Sequence, residues 1–144
     1  MYVLGITNIH ISKTLEEKGL VANKSLILKF PNFLREDLYS HFIRGYFDGD
    51  GHIGIAGGGS RVYIASSMDF CCGLLNFLRD KLPETKFRIR NTNNIKTGVL
   101  YVTDNNSVKD FMNYLYVDCE DENIMRLKRK QETFYKKFYP KKLI

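Results

Sequence analysis

Residues 42 to 51, FIRGYFDGDG, constrain this chain more than any other stretch, because a hydrophobic helical pattern ends there abruptly in two aspartates interleaved with glycines. Leu38, Phe42, Ile43, Tyr46 and Phe47 recur at i, i+4, i+5, i+8 and i+9, the stripe of a helix that buries one face. Gly45 and Gly49 fall on the same helix. A glycine inside a helix costs about 1 kcal/mol against alanine, so two of them four residues apart need a compensating reason. Small residues at that spacing let two backbones approach closely, and the helix is predicted to pack against a copy of itself. Its predicted stop is Gly49-Asp50-Gly51, where glycine permits a left-handed helix end and an exposed acid stands beside free backbone carbonyls. An acid so placed can hold a metal ion.

Two other readings of these residues fail on order or spacing. Gly49, Gly51 and Gly54 spell G-x-G-x-x-G, but that dinucleotide-binding fingerprint follows a strand and opens a helix, and here the order is reversed. Asp48-x-Asp50 opens like a calcium loop, yet such a loop needs glycine at its sixth place and glutamate at its twelfth, where this chain has Ile53 and Gly59.

Residues 43 to 51 resemble the signature of the LAGLIDADG homing endonucleases in the variant ending DGDG. Gly45, Asp48, Gly49, Asp50 and Gly51 stand at the motif's fixed positions, Tyr46 and Phe47 fill its hydrophobic slots, and Arg44 replaces its small residue. The resemblance implies an α+β fold of order α-β-β-α-β-β-α-α, with an antiparallel DNA-binding sheet and two motif helices crossing at a two-fold or pseudo-two-fold axis. It also implies that Asp50, helped by the Gly49 carbonyl, holds Mg²⁺ at the scissile phosphates, with Ca²⁺ or Mn²⁺ as substitutes, while Asp48 is structural. Residence in a mobile intron, an intein or a phage genome is a further implication.

At 144 residues the chain prefers one domain, read as a core from 38 to 144 behind a lead-in segment, 1 to 37, with a short helix. The lead-in resembles the segment that closes an upstream region in larger family members. Hydrophobic residues at 44% and charged ones at 26% describe an ordinary globular chain. No apolar run approaches the ~18 residues of a membrane span, and the opening is too short for a signal peptide, so a cytoplasmic, nucleoid-associated protein without a membrane partner is expected. Cys71, Cys72 and Cys119 form neither a disulfide framework nor a spaced zinc set and are expected to be buried thiols. The net charge of +6 is unevenly spread: Arg126 to Lys142 holds eight basic residues and one acid, leaving the remainder at −1. An acidic loop, Asp118, Glu120, Asp121 and Glu122, precedes that stretch. Beside a metal-binding acid, such a basic run points to phosphate contact.

Local patterning predicts a helix over 11–19 with Ser12 as N-cap, an extended run over 25–30, and a hairpin of strands 52–56 and 61–66 around a 57–59 turn. In that hairpin Val62 and Ile64 face one way and Arg61, Tyr63 and Ala65 the other. A helix over 69–82 with Phe70, Leu74, Phe77 and Leu78 buried, a second hairpin of 86–90 and 95–103, and helices over 107–117 and 124–139 complete the order. The likeness to the family's repeat thus covers about residues 38 to 139.

Period two along KFRIR puts Lys86, Arg88 and Arg90 on one face and Phe87 and Ile89 on the other. With Lys96 on the returning strand, four cations share one hairpin that only Asp104 offsets, a pattern that a solvated sheet face also shows; the resemblance implies a sheet lying along the DNA major groove, and on that ground these, with Arg61, are assigned to DNA contact. The segment Leu127-Lys-Arg-Lys-Gln131 resembles the start of the family's last helix, where a lysine stabilises charge developing at the phosphate. Its place in the string makes this Lys128, with Lys130 in reserve and otherwise a DNA contact. The family's polar group at the end of the second strand falls near Ser66 and Ser67, neither a match to glutamine or arginine. His52 follows the motif directly, where it could touch phosphate or shuttle a proton, although a lone histidine at a strand start is more often a surface residue; His10 and His41 carry less signal.

The expected function is site-specific, double-strand DNA cleavage by Mg²⁺-dependent phosphodiester hydrolysis. One motif gives one Asp50 per chain, which implies a homodimer through Gly45 and Gly49 and a target of near two-fold symmetry. The alternative is a non-cleaving nucleic-acid-binding protein on the same fold, as in RNA maturases or transcription regulators. Asp50 and Lys128 together favour cleavage.

Overall fold

The computed structural model describes residues 5, 7–19, 24–117, 119, 121 and 123–143. In chain order they form α1 (Ile9–Glu17), α2 (Tyr39–Asp50), β1 (Gly51–Ala56), β2 (Gly59–Ser67), α3 (Met68–Lys81), β3 (Arg88–Asn91), β4 (Thr97–Val102), α4 (Asn105–Tyr116) and α5 (Lys128–Phe138). The fold is mixed α+β, and from α2 onward the element order is the expected one. All four strands join one antiparallel sheet in the order β1-β2-β4-β3.

The first hairpin shows how local chemistry sets register. Gly57 and Gly58 both have positive φ, 56° and 81°, as a tight two-residue turn that continues the strand twist requires. Gly59, expected in the turn, therefore pairs with Ala56, and β2 starts two residues early. Val62 and Ile64 turn inward and Arg61, Tyr63 and Ala65 outward, as alternation predicts. Helices α3 and α4 cover the inner face, where Phe70, Leu74, Leu78, Phe111 and Leu115 meet Ile43 and Phe47 of α2.

Several expected boundaries are corrected. Helix α1 starts at Ile9 because Asn8, not Ser12, is its cap, its side chain accepting from the His10 and Ile11 N–H groups. Gly19, at φ 85°, sits just beyond its end. The expected extended run holds instead a 3₁₀ turn, Lys24–Leu26, followed by irregular chain whose Leu28, Phe30 and Leu34 pack against the core. Phe30 lies against Gly73, where an added Cβ would come within 2.7 Å of Phe30 Cβ, which accounts for a glycine inside α3. Leu38 lies in a 3₁₀ turn and is exposed, and Tyr39 takes its place in the buried stripe.

Strand β3 starts at Arg88, so Lys86 precedes the ladder, its N–H donating to Ser107 Oγ at 3.0 Å. Lys96 lies in the turn rather than on the returning strand; its N–H donates to Asn94 Oδ1 and its carbonyl accepts from Met68 N–H. Asp104 caps α4 by accepting from Ser107 N–H at 2.9 Å, which starts the helix at Asn105 and holds its carboxyl below the usual range. Cys71 and Cys119 are buried thiols, but Cys72 is exposed. Of the acidic loop, Asp118, Glu120 and Glu122 lie outside the described residues.

Candidate active site

Helix α2 ends differently from the glycine-turn expectation. Gly51 has φ −80°, so no left-handed residue closes the helix and the chain passes directly into β1. The carbonyls at the helix end are taken by Lys130 of α5, whose Nζ donates to Phe47, Asp48 and Gly51 and lies 4.7 Å from the centroid of the Phe47 ring. Lys130 is only 3% exposed, and burial lowers its pKa against the opposing pull of Asp48 and, after the Arg129 charge, of Asp50. Gly51 is needed for space rather than for φ, because a Cβ there would collide with the Phe47 ring.

Asp48 is engaged through both oxygens. Oδ1 accepts the Tyr116 hydroxyl at 2.6 Å and Oδ2 accepts the Leu127 N–H at 2.8 Å, setting a carboxylate at the start of α5, where the helix dipole favours one. These bonds, with Lys130, hold residues 124–127 as a non-helical approach, which is why α5 begins at Lys128 and not near Ile124. Arg44, also buried, donates from Nε to Met125 O at 3.3 Å, from Nη1 to Leu115 O at 2.9 Å and from Nη2 to His41 Nδ1. The residue that departs from the motif thus ties α2 to the end of α4 and to the approach to α5.

Burial, followed by the Asp48 bond, pushes the Tyr116 hydroxyl well above the ordinary tyrosine range, and burial pushes Tyr114 up to about 12. A proton held more tightly in the folded state gives stability that is complete below the unfolded pKa near ~10 and is lost as pH rises beyond it. Denaturant midpoints are therefore expected to fall as pH rises from about 10 towards about 12, with a shallower fall in Tyr116→Phe, which removes one of the raised tyrosine titrations.

Asp50 is the exposed last residue of α2. Tyr46 lies one turn back, and its hydroxyl shares a hydrogen bond with Ser66 Oγ at 2.7 Å. Burial raises the Tyr46 pKa and the Asp50 charge adds to this, against the effect of the Ser66 bond. Ser67 is buried, capping α3 through Phe70 N–H while donating to Leu28 O, so its hydroxyl is committed to structure. The Gly49 carbonyl is not among the three that Lys130 takes. Lys128 is exposed on the first turn of α5, next to the Leu127 N–H bound by Asp48.

The face of α2 that carries Gly45 and Gly49 is bare: a Cβ at either would meet nothing within 4 Å. It floors a groove of about 640 Å³ that also takes in Phe42, Tyr46 and Asp50 of α2 and is otherwise lined by the lead-in chain, Lys18, Ile27 and Phe33 among it. The outer sheet face carries exposed Arg61, Arg88 and Arg90, with exposed Lys86 and Lys96 beyond the strands. Between the arginines run His52, Tyr63 and Tyr101, cross-strand neighbours that end on Arg88. Nothing in the sequence alone singles out Tyr63 or Tyr101, and a two-residue Gly57-Gly58 turn is the signal that pairs His52 with Tyr63. His10 is exposed on α1.

Among the described residues no helix is long and apolar enough to cross a membrane. No family model and no curated protein matches this chain.

Proposed function

We propose that the chain is one half of a homodimeric, LAGLIDADG-type DNA endonuclease that cleaves both strands of a specific site by Mg²⁺-dependent hydrolysis. The observation that carries this reading is the exposed Asp50 at the end of a helix whose Gly45 and Gly49, among the described residues, have open space where a side chain would stand. Among the described residues no three His, Cys, Asp or Glu side chains converge, so one chain offers Asp50 and the Gly49 carbonyl and no fuller acidic set. Both are hard oxygen donors of the kind Mg²⁺ takes, alongside phosphate oxygens, water and the second copy's acid. When bound, Mg²⁺ stabilises charge on the phosphate and makes water a better nucleophile. Asp50 holds and orients that centre, Lys128 offers an ammonium where the extra negative charge develops, and the arginines of the sheet set the duplex in place.

A non-cleaving binder on the same fold is favoured by one observation: the hydroxyls of Ser66 and Ser67 are committed to Tyr46 and to the α3 cap. Incubating the protein with a randomised plasmid library and Mg²⁺, then sequencing the ends, decides between the two. Recurrent double-strand ends at one sequence are expected; enriched binding with no ends selects the binder.

The dimer has its own test. Gly45→Leu is expected to leave the fold at least as stable, since leucine gains about 1 kcal/mol of helix propensity in open space, while converting a DNA-bound dimer to monomer in sedimentation. A wild-type chain that stays monomeric on DNA removes the basis for this.

A further inference from the structure

The outer sheet face holds a depression of about 550 Å³ lined by His52, Arg61, Tyr63, Arg90, Val99 and Tyr101. The His52 and Tyr63 rings stack with centroids 4.6 Å apart and planes 20° apart. Two rings lying flat side by side could not bring their centroids so close, so this pair stands on edge, with ring faces turned to each other across the strands. A platform for unstacked bases needs open π faces, and here the stacked faces cover one another. What the pair offers a ligand is ring edges and polar tips, the form suited to base edges in a groove.

Gly54 makes the second half of the feature. A Cβ at this position would lie 3.0 Å from His52 Nε2, 3.1 Å from Arg61 Nε and 3.4 Å from Arg61 Cγ. The imidazole and the guanidinium therefore converge over the glycine from two strands, and a single acceptor above it comes within hydrogen-bond reach of both. The walls beside it set the Tyr63 and Tyr101 rings and Val99 next to one further cation, Arg90. A phosphate site would be ringed by cations, whereas a row that mixes donors with apolar surface suits base edges, where acceptors alternate with thymine methyl groups.

We infer that His52 and Arg61, converging over Gly54, form a specificity-determining niche that reads the O6/N7 edge of one guanine in duplex DNA. This rests on the endonuclease reading and names residues that set its sequence preference. Neither residue takes part in hydrolysis.

Duplexes selected from a randomised library by the wild-type protein supply the probe. The enriched duplex is expected to bind better than either of its separated strands and to contain a guanine whose replacement by 7-deazaguanine weakens wild-type binding roughly tenfold. Gly54→Ala, which displaces both side chains, and Arg61→Gln, at an exposed position, are each expected to lose that preference and to be insensitive to the replacement, with unchanged melting temperature. The same enriched sequence from both variants, sensitivity to 7-deazaguanine retained in them, or a wild-type preference for the single strands overturns the niche. Sequence-independent weakening in both variants assigns the pair to a phosphate and overturns it too. If the enriched duplex is nonetheless cut with Mg²⁺, the endonuclease reading stands without the niche; if it is bound with guanine dependence and never cut, the niche stands without the endonuclease.

Discussion

Asp50→Asn is expected to abolish Mg²⁺-dependent cleavage, by at least the roughly 10²- to 10³-fold that loss of one transition-state-stabilising group brings. It should leave the fold intact, because Asp50 is exposed and none of the fold's hydrogen bonds described above depends on it. A negative charge at a helix C-terminus opposes the dipole by about 0.3–1 kcal/mol, so the variant should be no less stable than the parent. Asp48→Asn, two residues earlier, should do the reverse. Its amide must set an NH₂ against the Tyr116 hydroxyl or the Leu127 N–H, one of which then loses its acceptor. A lowered melting temperature for Asp48→Asn, with unchanged melting and lost cleavage for Asp50→Asn, separates the structural from the catalytic acid. An Asp50→Asn protein that cuts like the parent overturns the assignment of Asp50.

Much of this arrangement was legible in the sequence because it is written in local periods. The apolar stripe of α2, the alternation in β2 and the Gly-Gly turn each depend on neighbours in the chain, and each appears within a few residues of its expected place. Long-range polar bonds left no such trace. Nothing in the period of α2 distinguishes Arg44, whose bonds reach Leu115 and Met125, from a surface arginine. Nothing in the string LKRKQ shows which lysine turns inward; that follows from the pitch of α5 once Asp48 has fixed Leu127 at its N-terminus. The glycine-turn expectation at Gly51 failed for a related reason, since a lysine distant in sequence satisfies carbonyls that a left-handed glycine would otherwise have served. The cross-strand row was missed because it depends on the register of two hairpins together.

Lys130 gives the largest expected effect on stability. Lys130→Met keeps the length and apolar stem of the side chain while removing the ammonium donor from the carbonyls of Phe47, Asp48 and Gly51, of which Phe47 alone is shown to keep a second donor, the Gly51 N–H. Each buried acceptor left unsatisfied costs about 1–3 kcal/mol, and part of that is offset because a buried ammonium no longer has to be desolvated. A net loss of about 3 kcal/mol is expected, a fall of roughly 6–12 °C in melting temperature for a chain of this size. Cleavage should fall with it, because the same carbonyls fix the helix end that carries Asp50. Lys128→Ala is the contrast, being exposed on the first turn of α5. Its stability should stay within about 0.5 kcal/mol of the parent, while its single-turnover rate in Mg²⁺ drops more than its DNA affinity in Ca²⁺. If Lys128→Ala loses affinity and keeps its rate, that lysine is one more phosphate contact. If Lys130→Met melts like the parent, the helix end is held by Asp48 and Arg44 without it.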